Sequence, residues 1–137
     1  LQLVDRVTLE TLRALRAALP GIKIVPVIHV IGPESVREAR EMASVADAIL
    51  LDSGNPTLAV KELGGTGRTH DWTLSRQIRD AVPVPVYLAG GLGSHNVRQA
   101  LQAVRPFGLD LCSSVRSAGQ LDRARLTAFF DRVAGQD

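Results

Sequence analysis

Val86-Tyr87-Leu88-Ala89, then Gly90-Gly91-Leu92-Gly93, then the run from Ser94 to Cys112 decide how this chain folds. The first four residues are apolar without a helical period, and Pro83 and Pro85 precede them, so they read as a buried strand. The glycines end it. Val97, Ala100, Leu101 and Val104 then recur at i, i+3, i+4 and i+7, which predicts an amphipathic helix with Ser94 as its N-cap. Leu109 to Cys112 reads as the next strand. A strand, a helix and a strand in that order make a crossover, and crossovers join parallel strands.

The same alternation extends in both directions. Towards the amino terminus, Ala46 to Leu51 is a strand ending at Asp52, and Ile22 to Ile31 is a β-branched run, apolar on both faces. Gly32-Pro33-Glu34-Ser35 opens a helix between them, with Val36, Ala39, Met42 and Ala43 inward. Leu1 to Val4 reads as a short strand rather than a secretory leader, and Asp5 or Thr8 can cap a helix carrying Leu12, Leu15 and Leu19. Asp71 caps a helix with Leu74 and Ile78. Leu126, Phe129, Phe130 and Val133 mark the closing helix. Five strands alternate with five helices, and 1–137 reads as a single domain.

Composition narrows the classes of function. The chain is 45% apolar and 22% charged, as a globular core requires, and no apolar run approaches the roughly 20 residues of a membrane span. The net charge of +2 is scattered, with few aromatics, so no nucleic-acid surface is expected. Cys112 is the only cysteine, which excludes an internal disulfide and fits a reducing cytoplasm. It reads as a small buried hydrophobe, and Met42 and Trp72 read as core residues. His29, His70 and His95 lie on separate elements, so no metal site is expected.

Chemistry in parallel α/β folds gathers at the carboxyl ends of strands. Three positions there stand out: Asp52, the segment Gly64-Gly65-Thr66-Gly67-Arg68-Thr69, and Gly90-Gly91. Glycine lets backbone N–H groups approach an oxyanion, and a helix N-terminus adds its dipole. Tight turns need the same residues. Neither a Walker A loop nor a Gly-x-Gly-x-x-Gly follows a strand. A small molecule bearing a phosphate is the expected ligand.

Ile49-Leu50-Leu51-Asp52 followed by Gly64-Gly65-Thr66-Gly67-Arg68-Thr69-His70-Asp71-Trp72 resembles the "LLD … GGTGKTFDW" segment of the phosphoribosylanthranilate isomerase family. Leu88-Ala89-Gly90-Gly91-Leu92 is similar to its "LAGGL", and Val104-Arg105-Pro106-Phe107-Gly108-Leu109-Asp110 to its "VRPYGVD". Leu1-Gln2-Leu3 resembles its fourth strand. The resemblance implies a (β/α)8 barrel of the TIM type, with strands 4 to 8 and their helices present and the first three units missing. The remaining units would come from the same longer chain or from a self-association partner.

The activity so implied is an Amadori rearrangement of a sugar phosphate in tryptophan biosynthesis, without a cofactor. By resemblance Asp52 is the general acid, and Gly64, Gly65, Thr66, Gly67, Arg68, Gly90, Gly91, Ser113, Ser114 and Arg116 bind substrate or phosphate. The family's base is a cysteine on its first strand, and Cys112 does not replace it. Where the family reads "SSGVE", this chain has Ser113-Ser114-Val115-Arg116. Ser114 therefore stands at a phosphate-binding glycine, and a positive φ there would cost it more. Arg116 is expected to reach the phosphate, His70 to pack, and Asp110 to form a structural salt bridge.

Overall fold

A computed structural model describes residues 1–53 and 71–135. Five parallel strands lie side by side in chain order: β1 (Gln2–Leu3), β2 (Val25–His29), β3 (Ile49–Asp52), β4 (Val86–Leu88) and β5 (Gly108–Leu109). Helices α1 (Leu9–Ala18), α2 (Glu34–Ala43), α3 (Trp72–Ala81) and α4 (Val97–Val104) occupy the connections, and α5 (Arg123–Ala134) closes the chain. Among the described residues no helix is long and apolar enough to cross a membrane.

Alternation along the strands sorts the core into two layers. Ile28, Val30, Ile49, Leu51, Val86 and Leu88 pack with Leu12, Ala39, Met42, Ile78, Ala100 and Val104 from the helices. The opposite face carries Val27, Leu50 and Ala89, flanked by Val25 and Tyr87. Strand register places Val27 beside Leu50, and His29 beside Asp52. The even period thus delivers His29 and Asp52 to the second face, away from the helices.

Local chemistry explains the helix ends. Thr8, rather than Asp5, caps α1 by accepting from Thr11 N–H. Asp71 caps α3 through Thr73 N–H, as its position predicts. Ser94 does not cap α4. That position belongs to Asn96, whose amide turns back into the loop, accepting from Gly93 N–H at 2.9 Å and donating to the Gly91 carbonyl at 3.0 Å.

The carboxy-terminal third departs furthest from expectation. The last strand is Gly108–Leu109 only, and residues 110–112 already form the loop. Ser113–Val115 make one 3-10 turn, and a hairpin, β6 (Arg116–Ser117) with β7 (Gln120–Leu121), precedes α5. The hairpin is unanticipated because its sequence, Arg116 to Leu121, has no apolar alternation. On α5 only Phe129 is buried; Phe130 and Val133 face out beside the exposed Phe107.

Candidate active site

At the carboxyl ends of β3, β4 and β5 a recess of about 400 Å³, open to solvent, is lined by Asp52, Ala89 to Leu92, and Asp110 to Ser113. Asp52 is delivered by the parity of β3 and is 7% exposed. Its Oδ1 accepts from Ser53 N–H at 2.7 Å. Burial raises its pKa, the Ser53 amide and His29 oppose the rise, and the Asp110 carboxylate adds to it. A carboxyl in that setting gives up its proton less readily than a free one.

The glycine wall is built by backbone geometry that other residues resist. Gly90 and Gly91 have φ of +83° and +63°, and a Cβ on Gly90 would meet the Ser53 side chain and amide. The Asn96 amide clamps the same loop at Gly91 and Gly93. Backbone thus lines the recess where side chains would otherwise fill it.

Of the residues expected at the site, Asp52, Gly90, Gly91 and Ser113 come together around this recess. Gly64, Gly65, Thr66, Gly67, Arg68 and His70 lie outside the described residues. Ser114 flanks the wall: its Cβ would lie 3.3 Å from a Cβ on Gly93, and its Oγ is buried without a hydrogen-bond partner among the described residues. Its φ is not positive, so the serine imposes no left-handed strain. Arg116 sits on the β6–β7 hairpin, its guanidinium donating to the Gly119 carbonyl at 2.9 Å.

Two expectations need correction. Cys112 is exposed rather than buried, because β5 ends before it and leaves it on the rim of the recess. Asp110 has no ion-pair partner among the described residues and lines the recess opposite Asp52. Sequence reading had the means to find it. Asp110 lies within the strand expected over Leu109 to Cys112 and directly follows the observed β5, and parity with Gly108 puts it on the face of Asp52.

His29 is the second residue that reading missed. It is 6% exposed, its Nε2 lies 3.1 Å from the Val4 carbonyl, and its Nδ1 is buried without a hydrogen-bond partner among the described residues. An acceptor at Nε2 requires the proton to be there, so in the neutral ring Nδ1 carries the lone pair.

A buried carboxyl, a backbone-lined wall and a second carboxylate suit acid–base chemistry on a small polar ligand. Comparison with known proteins agrees with that setting. The sequence pattern of the family described as N-(5'phosphoribosyl)anthranilate (PRA) isomerase matches residues 2–132. An N-(5'-phosphoribosyl)anthranilate isomerase of Methanocella arvoryzae is 40% identical over 121 residues, which are 88% of this chain and 54% of that protein. N-(5'-phosphoribosyl)anthranilate isomerase 2 of Methanosarcina mazei is 39% identical over 133 residues, 96% of this chain and 58% of that protein. The phosphoribosyl anthranilate isomerase structure from Thermococcus kodakaraensis superposes with a TM-score of 0.73 at 29% identity, covering 96% of this chain and 61% of that one. The chain thus spans little more than half the length of these relatives, and it belongs to the N-(5'-phosphoribosyl)anthranilate isomerase family.

Proposed function

We propose that this chain supplies the acid and the phosphate wall of an N-(5'-phosphoribosyl)anthranilate isomerase, as units 4 to 8 of a (β/α)8 barrel. The observation that carries the reading is a buried Asp52 in the same recess as Gly90 and Gly91. Asp52 protonates the ribose ring oxygen as the C1–O bond breaks and the anilino nitrogen forms C=N with C1. A base then takes the proton from C2, giving an enolamine; return of a proton to C1 and loss of the C2 hydroxyl proton leave the C2 ketone. C1 is reduced and C2 oxidised within one molecule through proton transfers alone, so acid and base side chains suffice and no cofactor is used.

The base and the first three units come from the rest of a longer chain; a self-association partner could complete the barrel wall but not supply that base. Gly64 to Arg68 contribute to substrate binding, and Ser113 and Ser114 offer backbone N–H groups to the phosphate. Arg116 acts there only if it leaves Gly119. The protein works in the cytoplasm, where this biosynthetic chemistry and a lone thiol both fit.

Arg116 and Ser114 favour a second reading, a divergent barrel that binds a sugar phosphate without isomerising it. Complementation separates the two. The chain joined to the amino-terminal units of the Methanocella relative should restore growth to a tryptophan auxotroph lacking the isomerase. A fused protein that folds, binds a sugar phosphate and fails to restore growth favours the second reading.

A further inference from the structure

Gly90, Gly91 and Leu92 line the recess of Asp52, and their backbone amides have no hydrogen-bond partner among the described residues. The amides on either side are taken. Ala89 N–H donates to the Leu51 carbonyl at 2.7 Å, and Gly93 N–H donates to Asn96 Oδ1 at 2.9 Å. Successive backbone donors without acceptors make a concavity for an anion. Asn96 sets where that run of donors stops.

We propose that Asn96 is a positioning residue for the phosphate: by holding the Gly91 carbonyl and the Gly93 amide, it turns the Leu92 amide into the recess and makes Gly90, Gly91 and Leu92 the donors. The inference rests on the reading of Gly90 and Gly91 as a phosphate wall and names the side chain that shapes that wall.

In a trans peptide the carbonyl and the following amide point in opposite directions, and there is no cis bond among the described residues. Asn96 Nδ2 donates to the Gly91 carbonyl at 3.0 Å, so Leu92 N–H points away from Asn96. The Leu92 side chain packs into the helix-side core, which leaves its backbone to the recess. Gly93 is closed off on its own side, because a Cβ there would meet the His95 ring at 2.8 Å and the Ser114 Cβ at 3.3 Å. Gly90 and Gly91, at φ of +83° and +63°, do not hold the loop by themselves, since glycine takes either sign of φ at little cost. Only a side chain with a donor and an acceptor side by side ties both groups. Aspartate lacks the donor, and serine is too short to span the two.

The test titrates inorganic phosphate into the chain and into its Asn96→Asp and Asn96→Ser variants, following backbone amide resonances by NMR. In the wild type Gly90, Gly91 and Leu92 should shift together with phosphate, and Gly93 should not. Both variants should bind phosphate about tenfold more weakly, and serine, being neutral, excludes a charge effect. In the fused isomerase each should raise KM about tenfold and leave kcat within about twofold. Aspartate and serine begin helices as well as asparagine does, so a capping role alone predicts wild-type affinity in both. That result, or a Gly93 amide that shifts with the others, overturns the proposal and leaves the phosphate wall standing. If neither variant folds, the wild-type amide map decides alone. A wild type in which none of these amides responds overturns the wall and the proposal together.

Discussion

Gly90 and Ser53 meet across the β3–β4 strand ends: a Cβ on Gly90 would stand 2.7 Å from the Ser53 hydroxyl oxygen and 2.9 Å from its amide nitrogen. The loop that carries the acid and the loop that forms the backbone wall therefore fit only because one of them has no side chain.

Gly90→Ala adds steric overlap to a φ of +83°, and it should destabilise the chain by about 2–3 kcal/mol in urea unfolding. Gly21 has nearly the same φ, +84°, with nothing within 4 Å of its virtual Cβ. Gly21→Ala should therefore cost only the left-handed penalty, about 1 kcal/mol. Equal losses would show that the Ser53 contact is unimportant.

Asp47 ties the segment before β2 to the segment before β3. It accepts from Ile24 N–H at 2.9 Å, from Arg16 at 2.7 Å and from Lys23 at 3.2 Å. The Ile24 amide, with Lys23 and Arg16, holds its pKa down to about 2 against an ordinary 3.8. A depressed folded-state pKa gives stability that is present above 3.8 and lost as pH falls towards 2. Asp47→Asn should therefore lower the urea midpoint at neutral pH, and the gap from wild type should close through that acid window.

The sign reverses at Asp52. Its folded-state pKa is raised, chiefly by burial, so the ionised carboxylate works against folding at neutral pH. Asp52→Asn should raise the urea midpoint at pH 7, and the gain should vanish below the ordinary carboxylate range, where both states hold the proton. A functional carboxyl kept at the expense of stability predicts that pattern; a structural one predicts a loss.

On α5 two adjacent aromatic residues should behave oppositely. Phe129 is 3% exposed against Val97 and Val115, so Phe129→Ala should cost about 3–4 kcal/mol. Phe130 is 59% exposed, and Phe130→Ser should change stability by less than about 0.5 kcal/mol. Thermal unfolding of the two variants checks the direction in which the helix faces.

Period and punctuation made the parallel sheet legible. Gly90-Gly91 after an apolar strand and Asp52 at the end of another identified two walls of the recess. What escaped sequence reading was decided by contacts between distant segments. The cap of α4 is Asn96 because its amide satisfies Gly91 and Gly93, which no spacing rule signals. Cys112 is exposed because β5 stops after two residues, and length is the least certain property of an apolar run. In the sequence Asp110 reads as half of a salt bridge and His29 as one of three scattered histidines. Only register shows that both share a face with Asp52.

The central claim is that Asp52 donates the proton that opens the ribose ring. The direct measurement is isomerase turnover, with binding of a phosphate-bearing substrate analogue, for the fused barrel and its Asp52→Asn variant. Turnover should fall by about a thousandfold or more while analogue affinity stays within a few-fold. An Asp52→Asn protein that turns over at the parent rate would contradict the account.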